Sequence, residues 1–458
     1  MIGKPDYSSS KKDIKVFSFY GPGCGKFISG LPMGDGTDFR IKERYQEYKD
    51  CGFDMLMLEN DSPYNGEDWE TCKTKEIMDI CYEIGLRVIV YDDRLYRMAK
   101  FEFYGLYGKT FEGNYLPDQA AVNALVAEYM KDYANHPAFY GILLVDEPSP
   151  TNYPNVIQVS KGVKAYNKDA YIHVCLLPYE CTSPAYLYLI NQFQDIDDIG
   201  YDDYMWGSAN HGESAMNRQY LAKLERAKKM SQDRGLKLAT TTLQVFGGPG
   251  IVDHVSGCGF RSIGEREIRY QAYATLAFIP DKMCYYHYWP SMYVNAEEVK
   301  KSVCIMNEYG EKILYNEVQT VNREIKRLGK VMANFEVLGT NYYSTSPFPN
   351  HISTKNDFAQ EDLKIEADET PVLVNTLFDK ENACKAYYLF NCSDPLLKVD
   401  AAIILQIKDV THLQIYDRQG TREVALEDGK MSVVIPTTEG ILIIPYKINE
   451  KDKKEDIK

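Results

Sequence analysis

Short apolar runs alternate with longer stretches whose apolar residues recur at helical spacing over about the first 330 residues. A run such as Gly141 to Val145, which is nearly free of polar side chains and stops at Pro148, is typical of a strand buried on both faces. The pattern predicts helices over 39–51, 70–84, 118–133, 218–234, 263–278 and 312–333. It predicts strands over 14–20, 53–59, 86–91, 141–145, 171–177, 196–206, 236–246 and 282–289.

This alternation of eight strands with helices predicts a (β/α)₈ barrel, an α/β fold. The alternative is an open doubly wound sheet, which would want a Gly-x-Gly-x-x-Gly turn after the first strand. That turn is missing, and the glycine-rich loop 21–26 also lacks the spacing of a phosphate loop. The barrel is therefore the favoured prediction.

The pattern changes after Asn334 to short strands separated by turns, with no helical stretch between them. Strand length and turn spacing predict a C-terminal β-sandwich. The predicted organisation is a flexible leader over 1–12, the barrel as catalytic domain over 13–333, the β-sandwich over 335–447 and a charged disordered tail over 448–458. The sandwich strands are predicted at 371–375, 386–390, 401–407, 412–416, 431–435 and 440–446.

Composition limits the kinds of molecule that the protein is expected to bind. The 458 residues carry a net charge of −14, which argues against nucleic acid, because phosphate binding depends on Lys and Arg. There is no apolar run long enough to span a membrane and no apolar core of a secretory signal, so we expect a cytoplasmic protein. The 11 cysteines form no Cys-x-x-Cys motif, and no His/Cys spacing predicts a metal site. We expect reduced thiols, no metal, no cofactor and a small neutral ligand; a homo-oligomer stays possible.

Candidate chemistry lies where the predicted strands end. Asp146 and Glu147 follow the fourth strand, and the C-terminal ends of barrel strands are where such enzymes act. An acidic turn that caps the next helix is the alternative. Asp202 and Asp203 close the sixth strand, and Asp93 follows the third. The predicted catalytic residues are Glu147, Asp146 and Asp203.

Aromatic and amide side chains share this rim, and all three tryptophans (Trp69, Trp206 and Trp289) follow proposed strands. Indole stacks on the apolar face of a sugar ring, whose hydroxyl groups bind carboxylates and amides. The rim therefore predicts a carbohydrate substrate. Its predicted binding residues are Glu59, Asn60, Asp93, Tyr204, Trp206, Gln244, His287 and Trp289.

The segment 136–148, His-Pro-Ala-Phe-Tyr-Gly-Ile-Leu-Leu-Val-Asp-Glu-Pro, resembles the fourth-strand segment of glycoside hydrolase barrels. Residues 264–277 leading into 285–289 are similar as well. With its barrel followed by a β-sandwich, the chain resembles the family 42 β-galactosidase group and its gut-bacterial relatives. The resemblance implies that Glu147 is the general acid/base of a glycosidase, and Asp146 stands where that group has asparagine. The nucleophile of that group, a glutamate that ends strand seven, is replaced here by Gln244.

Because of this replacement, the sequence does not identify the second catalytic carboxylate. Asp203, Glu59 and Asp93 are candidates from neighbouring strands, and Asp146 could serve as in substrate-assisted N-acetylhexosaminidases, whose substrate supplies the nucleophile. A retaining and an inverting mechanism differ in the separation of the two carboxyl groups. The alternative to an enzyme is a catalytically silent barrel that binds carbohydrate.

Overall fold

The computed structural model describes residues 4–26, 32–58, 63–100, 116, 118–176, 195–196, 198–206, 213–233, 235, 237–247, 260, 262–290, 304–343, 363–367 and 370–448. The side chains at 198–199, 213–219 and 237–240 are outside this description. Among the predicted site residues, Glu59 and Asn60 lie outside the described residues.

Eight strands close into a parallel barrel in sequence order, with β1 hydrogen-bonded to both β2 and β8. The strands are short and their described side chains are mostly buried, because these point alternately into the barrel and against the surrounding helices. The barrel strands are β1 Lys15–Ser18, β2 Met55–Met57, β3 Arg87–Val90, β4 Phe139–Asp146, β5 Tyr171–Leu176, β6 Asp198–Asp202, β7 Lys237–Gln244 and β8 Lys282–Tyr286.

The helices cover the outside of the barrel, and several of their ends carry the expected sequence signals. Asp118 accepts a hydrogen bond from the backbone N–H of Ala121, and Gly85 ends a helix in the left-handed conformation. The described helices are α1 Lys42–Asp50, α2 Lys73–Ile84, α3 Asp93–Ala99, α4 Gln119–Met130, α5 Tyr153–Tyr166, α6 Glu213–Gln232, α7 Glu265–Leu276 and α8 Tyr315–Met332. The predicted (β/α)₈ barrel is confirmed.

The C-terminal third forms two antiparallel sheets, as a β-sandwich requires. One sheet has the order β10-β13-β16 and the other the order β15-β14-β17-β12-β11-β9. The strands are β9 Glu336–Tyr343, β10 Leu363–Ala367, β11 Val372–Asp379, β12 Cys384–Asn391, β13 Ala401–Ile407, β14 His412–Asp417, β15 Gly420–Ala425, β16 Lys430–Ile435 and β17 Gly440–Tyr446.

The central strands β11, β12 and β17 of the six-stranded sheet are buried on both faces. Tyr387 and Leu389 of β12 pack in the core between the two sheets, whereas Tyr388 and Phe390 belong to the core that continues into the barrel. The Tyr388 hydroxyl also donates to the backbone carbonyl of Tyr273 on α7, at 3.0 Å. Because successive side chains of β12 point to opposite faces of the sheet, this strand contributes to both cores.

One residue of the predicted leader packs against the rest of the protein. Tyr7 is buried against Phe335, and its hydroxyl donates to Asp379 on β11 at 2.9 Å. Burial of this aromatic side chain and its hydrogen bond attach the segment to the β-sandwich.

None of the helices in the described ranges has the length and apolarity to cross a membrane.

Candidate active site

Three side chains converge at the C-terminal ends of adjacent barrel strands. Asp146 ends β4, Cys175 lies near the end of β5, and Asp202 ends β6. One oxygen of each carboxyl group and the Cys175 sulfur all lie within 4.8 Å of one another. Two buried carboxyl groups this close share a site that electrostatic repulsion would disfavour if both were ionised.

The register of the sheet explains this convergence. Asp146 lies opposite Cys175, and Cys175 lies opposite Gly200, so that Asp202, two residues further along β6, shares the face of Gly200. Asp203 therefore points the other way. Its side chain is buried against α6, where Oδ1 accepts from Lys223 at 2.8 Å. The structure thus brings Asp202 to the site, and not Asp203, because neighbouring residues of a strand face opposite sides.

The two carboxyl groups differ in the hydrogen bonds they receive. Asp202 accepts from the Cys175 thiol at 3.1 Å and from the hydroxyl groups of Thr242 and Tyr204. In the described part of the chain, Oδ1 of Asp146 is buried and has no hydrogen-bond partner. Asp202 thus has three side-chain donors, whereas Oδ1 of Asp146 has none among the described residues.

Burial raises the pKa of both carboxyl groups. Loss of solvent is the main cause for Asp146, and the charges of Asp202 and Glu147 add to it, so its pKa lies well above the ordinary value. The pKa of Asp202 is also raised by burial, but its three hydrogen bonds oppose the rise. Hydrogen bonds to a carboxylate favour its ionised form, so the three donors around Asp202 favour the charge of the pair on that residue.

Glu147 lies one residue beyond β4 in a left-handed conformation with φ of 44°. Its backbone N–H donates to the carbonyl of Cys175 at 2.9 Å, and its side chain is exposed. The turn after β4 thus directs this side chain away from the barrel interior. Its charge nevertheless contributes to the raised pKa of Asp146.

Half-buried aromatic rings stand beside Asp202. The Tyr204 ring lies 4.9 Å from Phe246, 5.5 Å from Tyr286 and 6.2 Å from Phe260. Tyr204, Tyr286 and Phe260 each keep part of their surface accessible. We call Tyr204, Phe246, Phe260 and Tyr286 the aromatic wall. It lies beside Asp202, near the ends of β6, β7 and β8.

The predicted tryptophan platform is not part of this wall. Trp206 is 3 % exposed and packs on Tyr270, and Trp289 is 2 % exposed and packs on Phe39. A Cβ at Gly23 would lie 2.1 Å from the Trp289 indole nitrogen, which shows how closely the backbone covers that ring. Both indoles are core side chains here and offer no face to a sugar. Trp69 packs against Tyr64 and is likewise away from the carboxyl pair.

Gln244 and His287 are also buried, and their polar atoms bind backbone groups. The Gln244 amide accepts from the Trp206 N–H at 3.0 Å and donates to the Phe246 carbonyl at 3.1 Å. His287 donates from Nδ1 to the Trp289 carbonyl, and burial lowers the pKa of its imidazole to about 4. Both side chains therefore hold the strand ends in place. Asp93 forms an ion pair with Arg97 along α3.

The spacing of Asp146, Cys175 and Asp202 also raises the question of a metal ion. Within the described ranges this is the single group of three such side chains close enough to hold one. Burial raises the pKa of the Cys175 thiol well above its ordinary value, and the thiol donates to Asp202. Because a metal needs the thiolate, the hydrogen-bonded thiol favours a proton-sharing site over a metal site.

A comparison with solved structures finds glycoside hydrolase barrels of similar architecture. A family 27 β-L-arabinopyranosidase from Geobacillus stearothermophilus is 12 % identical, with a TM-score of 0.53, and the match covers 97 % of this chain and 98 % of that one. An α-amylase from Anoxybacillus is 11 % identical, with a TM-score of 0.50 and coverage of 97 % and 100 %. Searches of protein-family models and of curated protein sequences found no match.

At these identities the likeness shows the fold alone. The barrel followed by antiparallel sheets is shared over nearly the full length of both chains. The narrower resemblance to family 42 is not confirmed.

Sequence reasoning missed Cys175, although the strand carried a signal. Tyr171, His173 and Cys175 are polar residues at every second position of an otherwise apolar strand. The Tyr171 hydroxyl and the His173 Nδ1 lie 3.0 Å apart, and His173 contacts Phe17 of β1 across the barrel. Burial lowers the pKa of His173 to about 3, so this imidazole is neutral. Polar residues at period two mark the interior face of this barrel.

Proposed function

We propose that the protein is a glycosidase that uses Asp146 and Asp202 as its carboxyl pair. The observation that carries the proposal is the convergence of these two groups within 4.8 Å at the C-terminal mouth of the barrel. Glycosidic bond hydrolysis normally uses two carboxyl groups, one as acid and one as nucleophile or base. The C-terminal end of the strands is where barrel enzymes place such groups.

The hydrogen bonds of the pair support one division of the two roles. Asp202, which accepts three hydrogen bonds, is the ionised group and attacks the anomeric carbon. Asp146, whose pKa is raised by burial and by the neighbouring carboxylates, gives its proton to the leaving oxygen as the glycosidic bond breaks. Water then attacks the glycosyl–Asp202 ester and passes its proton to Asp146, which restores both groups.

Glu147 supports the acid in this scheme. Its negative charge is close enough to raise the pKa of Asp146, so it helps to keep the proton there until the leaving oxygen needs it. Lys100 acts in the opposite sense: its ammonium group donates to the Asp146 carbonyl at 2.7 Å and lowers the pKa of the same residue.

The aromatic wall supports a carbohydrate as the substrate. Its rings stand beside Asp202, where the reacting sugar would bind, and aromatic faces stack on the C–H face of a pyranose. The shared fold with a β-L-arabinopyranosidase and an α-amylase supports the same reaction class.

The test is hydrolysis of a panel of aryl glycosides and oligosaccharides by the wild type and four variants. We expect Asp146→Asn and Asp202→Asn each to lower kcat/KM by at least about a hundredfold, because each removes an acid–base or nucleophilic group. Asp203→Asn is the matched control, since it changes the neighbouring buried carboxylate and should keep most of the turnover. Glu147→Gln should move the alkaline limb of the pH profile to lower pH.

Two outcomes would contradict this proposal. Loss of turnover in Glu147→Gln together with normal turnover in Asp146→Asn would assign the acid role to Glu147. Binding of oligosaccharides without hydrolysis of any substrate would favour a barrel that only binds carbohydrate.

A further inference from the structure

The Cys175 thiol lies between the two carboxyl groups and interacts with both. Its sulfur is 3.1 Å from Oδ1 of Asp202, to which it donates, and it also lies within 4.8 Å of an Asp146 oxygen. The residue is fully buried on β5, with 0 % of its surface exposed. A single S–H can donate to one acceptor at a time, and the 3.1 Å contact makes Asp202 that acceptor, although the thiol also interacts with the Asp146 carboxyl group and lowers its pKa.

We propose that Cys175 is a positioning residue that keeps the negative charge of the pair on Asp202 and the proton on Asp146. This inference rests on the proposed glycosidase function. The thiol hydrogen bond stabilises the ionised form of Asp202, because a donor to a charged oxygen contributes more than a donor to a neutral one. Asp146 has no such donor at Oδ1 within the described residues.

The geometry around the thiol agrees with this role. Thr242 on β7 lies 3.9 Å from the sulfur and also hydrogen-bonds Asp202, so the carboxylate is held from two neighbouring strands. Cys175 itself is fixed by the β4–β5–β6 register, which leaves little freedom for its Cβ.

Other titratable and hydrogen-bonding groups surround Asp202 and contribute to the pH dependence of kcat/KM. Asp146 and Glu147 lie at the end of β4, Asp203 and Tyr204 follow β6, and Lys100 follows α3. Asp203 is paired with Lys223, and Tyr204 remains protonated because burial raises its pKa well above the ordinary value. Cys175 and Thr242 are the donors from β5 and β7. The charged groups are therefore unchanged when Cys175 alone is replaced.

The test is the pH dependence of kcat/KM in Cys175→Ala and Cys175→Ser. The acidic limb reports ionisation of Asp202 in the free enzyme. Because Cys175→Ala removes one donor to a carboxylate, we expect this limb to move to higher pH by about 0.5–1 unit. Cys175→Ser keeps a donor and should return the limb to the wild-type position or below it.

A matched control separates this effect from simple loss of a buried thiol. Cys284 is equally buried, on β8, and its sulfur contacts the Tyr285 carbonyl at 3.8 Å, outside the carboxyl pair. Cys284→Ala should lower stability by an amount similar to Cys175→Ala and leave the pH profile unchanged. An unchanged acidic limb in Cys175→Ala, with only a lower Tm, would overturn the positioning role.

A spectroscopic measurement makes the inference independent of turnover. The infrared difference spectrum of wild type minus Cys175→Ala isolates one S–H stretching band. We expect this band to show a strong hydrogen bond at neutral pH and to weaken as Asp202 takes up a proton. A band that does not change with pH would overturn the proposal even in an inactive protein. Absent turnover with a pH-sensitive band would instead contradict only the glycosidase function.

Discussion

Asp146 is a carboxylic acid in a place where its ionised form is poorly solvated. Its Oδ1 is buried without a partner in the described part of the chain, and two further carboxylates, Asp202 and Glu147, raise its pKa. Such a group costs stability at neutral pH, because the folded state must either bind a proton or bury a charge. A site of this kind is retained for chemistry rather than for folding.

This cost gives a prediction for the stability of Asp146→Asn. The folded-state pKa of Asp146 is raised above its unfolded value of about 3.9, so its contribution to stability is most favourable below that pH and falls as pH rises. We expect the variant to have a Tm about 1–2 °C above the wild type at pH 7, with the difference disappearing toward pH 4. Thermal unfolding measured across this range checks it; a variant less stable than wild type at pH 7 would show that the ionised carboxylate is stabilised in the fold.

The choice between Asp202 and Asp203 shows where the sequence was insufficient at this scale. Both residues follow an apolar stretch. Which of them points to the site depends on the register of β6 against β5, and the sequence alone does not give that register. The same choice arose between Asp146 and Glu147, where the resemblance favoured Glu147 as the acid, and the structure directs the Asp146 carboxyl group toward Cys175 and Asp202. Trp289 was misplaced for a related reason: an aromatic residue after a strand can lie on the rim or in the core.

At the scale of elements, an ionic network joins α7, α8 and the turn before β15. Arg269 on α7 is 3 % exposed and donates to both oxygens of Glu324 on α8, at 2.9 and 3.0 Å. Tyr273 also donates to Glu324, and Arg418 reaches the same carboxylate at 3.2 Å from the β14–β15 turn. The buried charges are thus paired across three elements.

This network predicts unequal effects for its two arginines. Arg269→Ala leaves Glu324 buried without its bidentate partner, so we expect a loss of about 3–5 kcal/mol in the free energy of unfolding. Arg418 has 43 % of its side chain exposed, so Arg418→Ala should cost less than about 1 kcal/mol. Chemical denaturation of both variants measures the difference; equal losses would mean that the two guanidinium groups are equally buried in solution.

The sequence pattern did not predict α3, α5, β9, β10 and β15, and two of the missed strands have weak apolar patterns. β13 and β17 have the predicted bounds. β13 alternates between buried and accessible residues, and β17 is a nearly continuous buried apolar run, so each pattern could be recognised in the sequence. β15 was not predicted, since its residues Thr421, Arg422 and Glu423 are exposed and leave no apolar face. β9 has Gly339 in its centre and mostly accessible side chains, so hydrophobic periodicity could not reveal it.

At the scale of the whole molecule, the barrel and the sandwich share one apolar core. Leu373, Tyr388 and Leu442 of the six-stranded sheet belong to the same cluster as the barrel residues. The architecture could be predicted because strand and helix periods alternate over the barrel and then give way to short strands. The sequence located the site at the C-terminal ends of the strands but did not identify its members, because these depend on which side chains point into the barrel.

The most direct test of the central claim is the stereochemistry of hydrolysis. Proton NMR identifies the first anomer released from the aryl glycoside that is turned over fastest, before mutarotation equilibrates the product. One oxygen of Asp146 and one of Asp202 lie within 4.8 Å, which is shorter than the separation of about 6.5–9.5 Å that leaves room for a water in inverting glycosidases. We predict that the first product retains the anomeric configuration of the substrate; release of the inverted anomer would contradict the Asp146–Asp202 assignment.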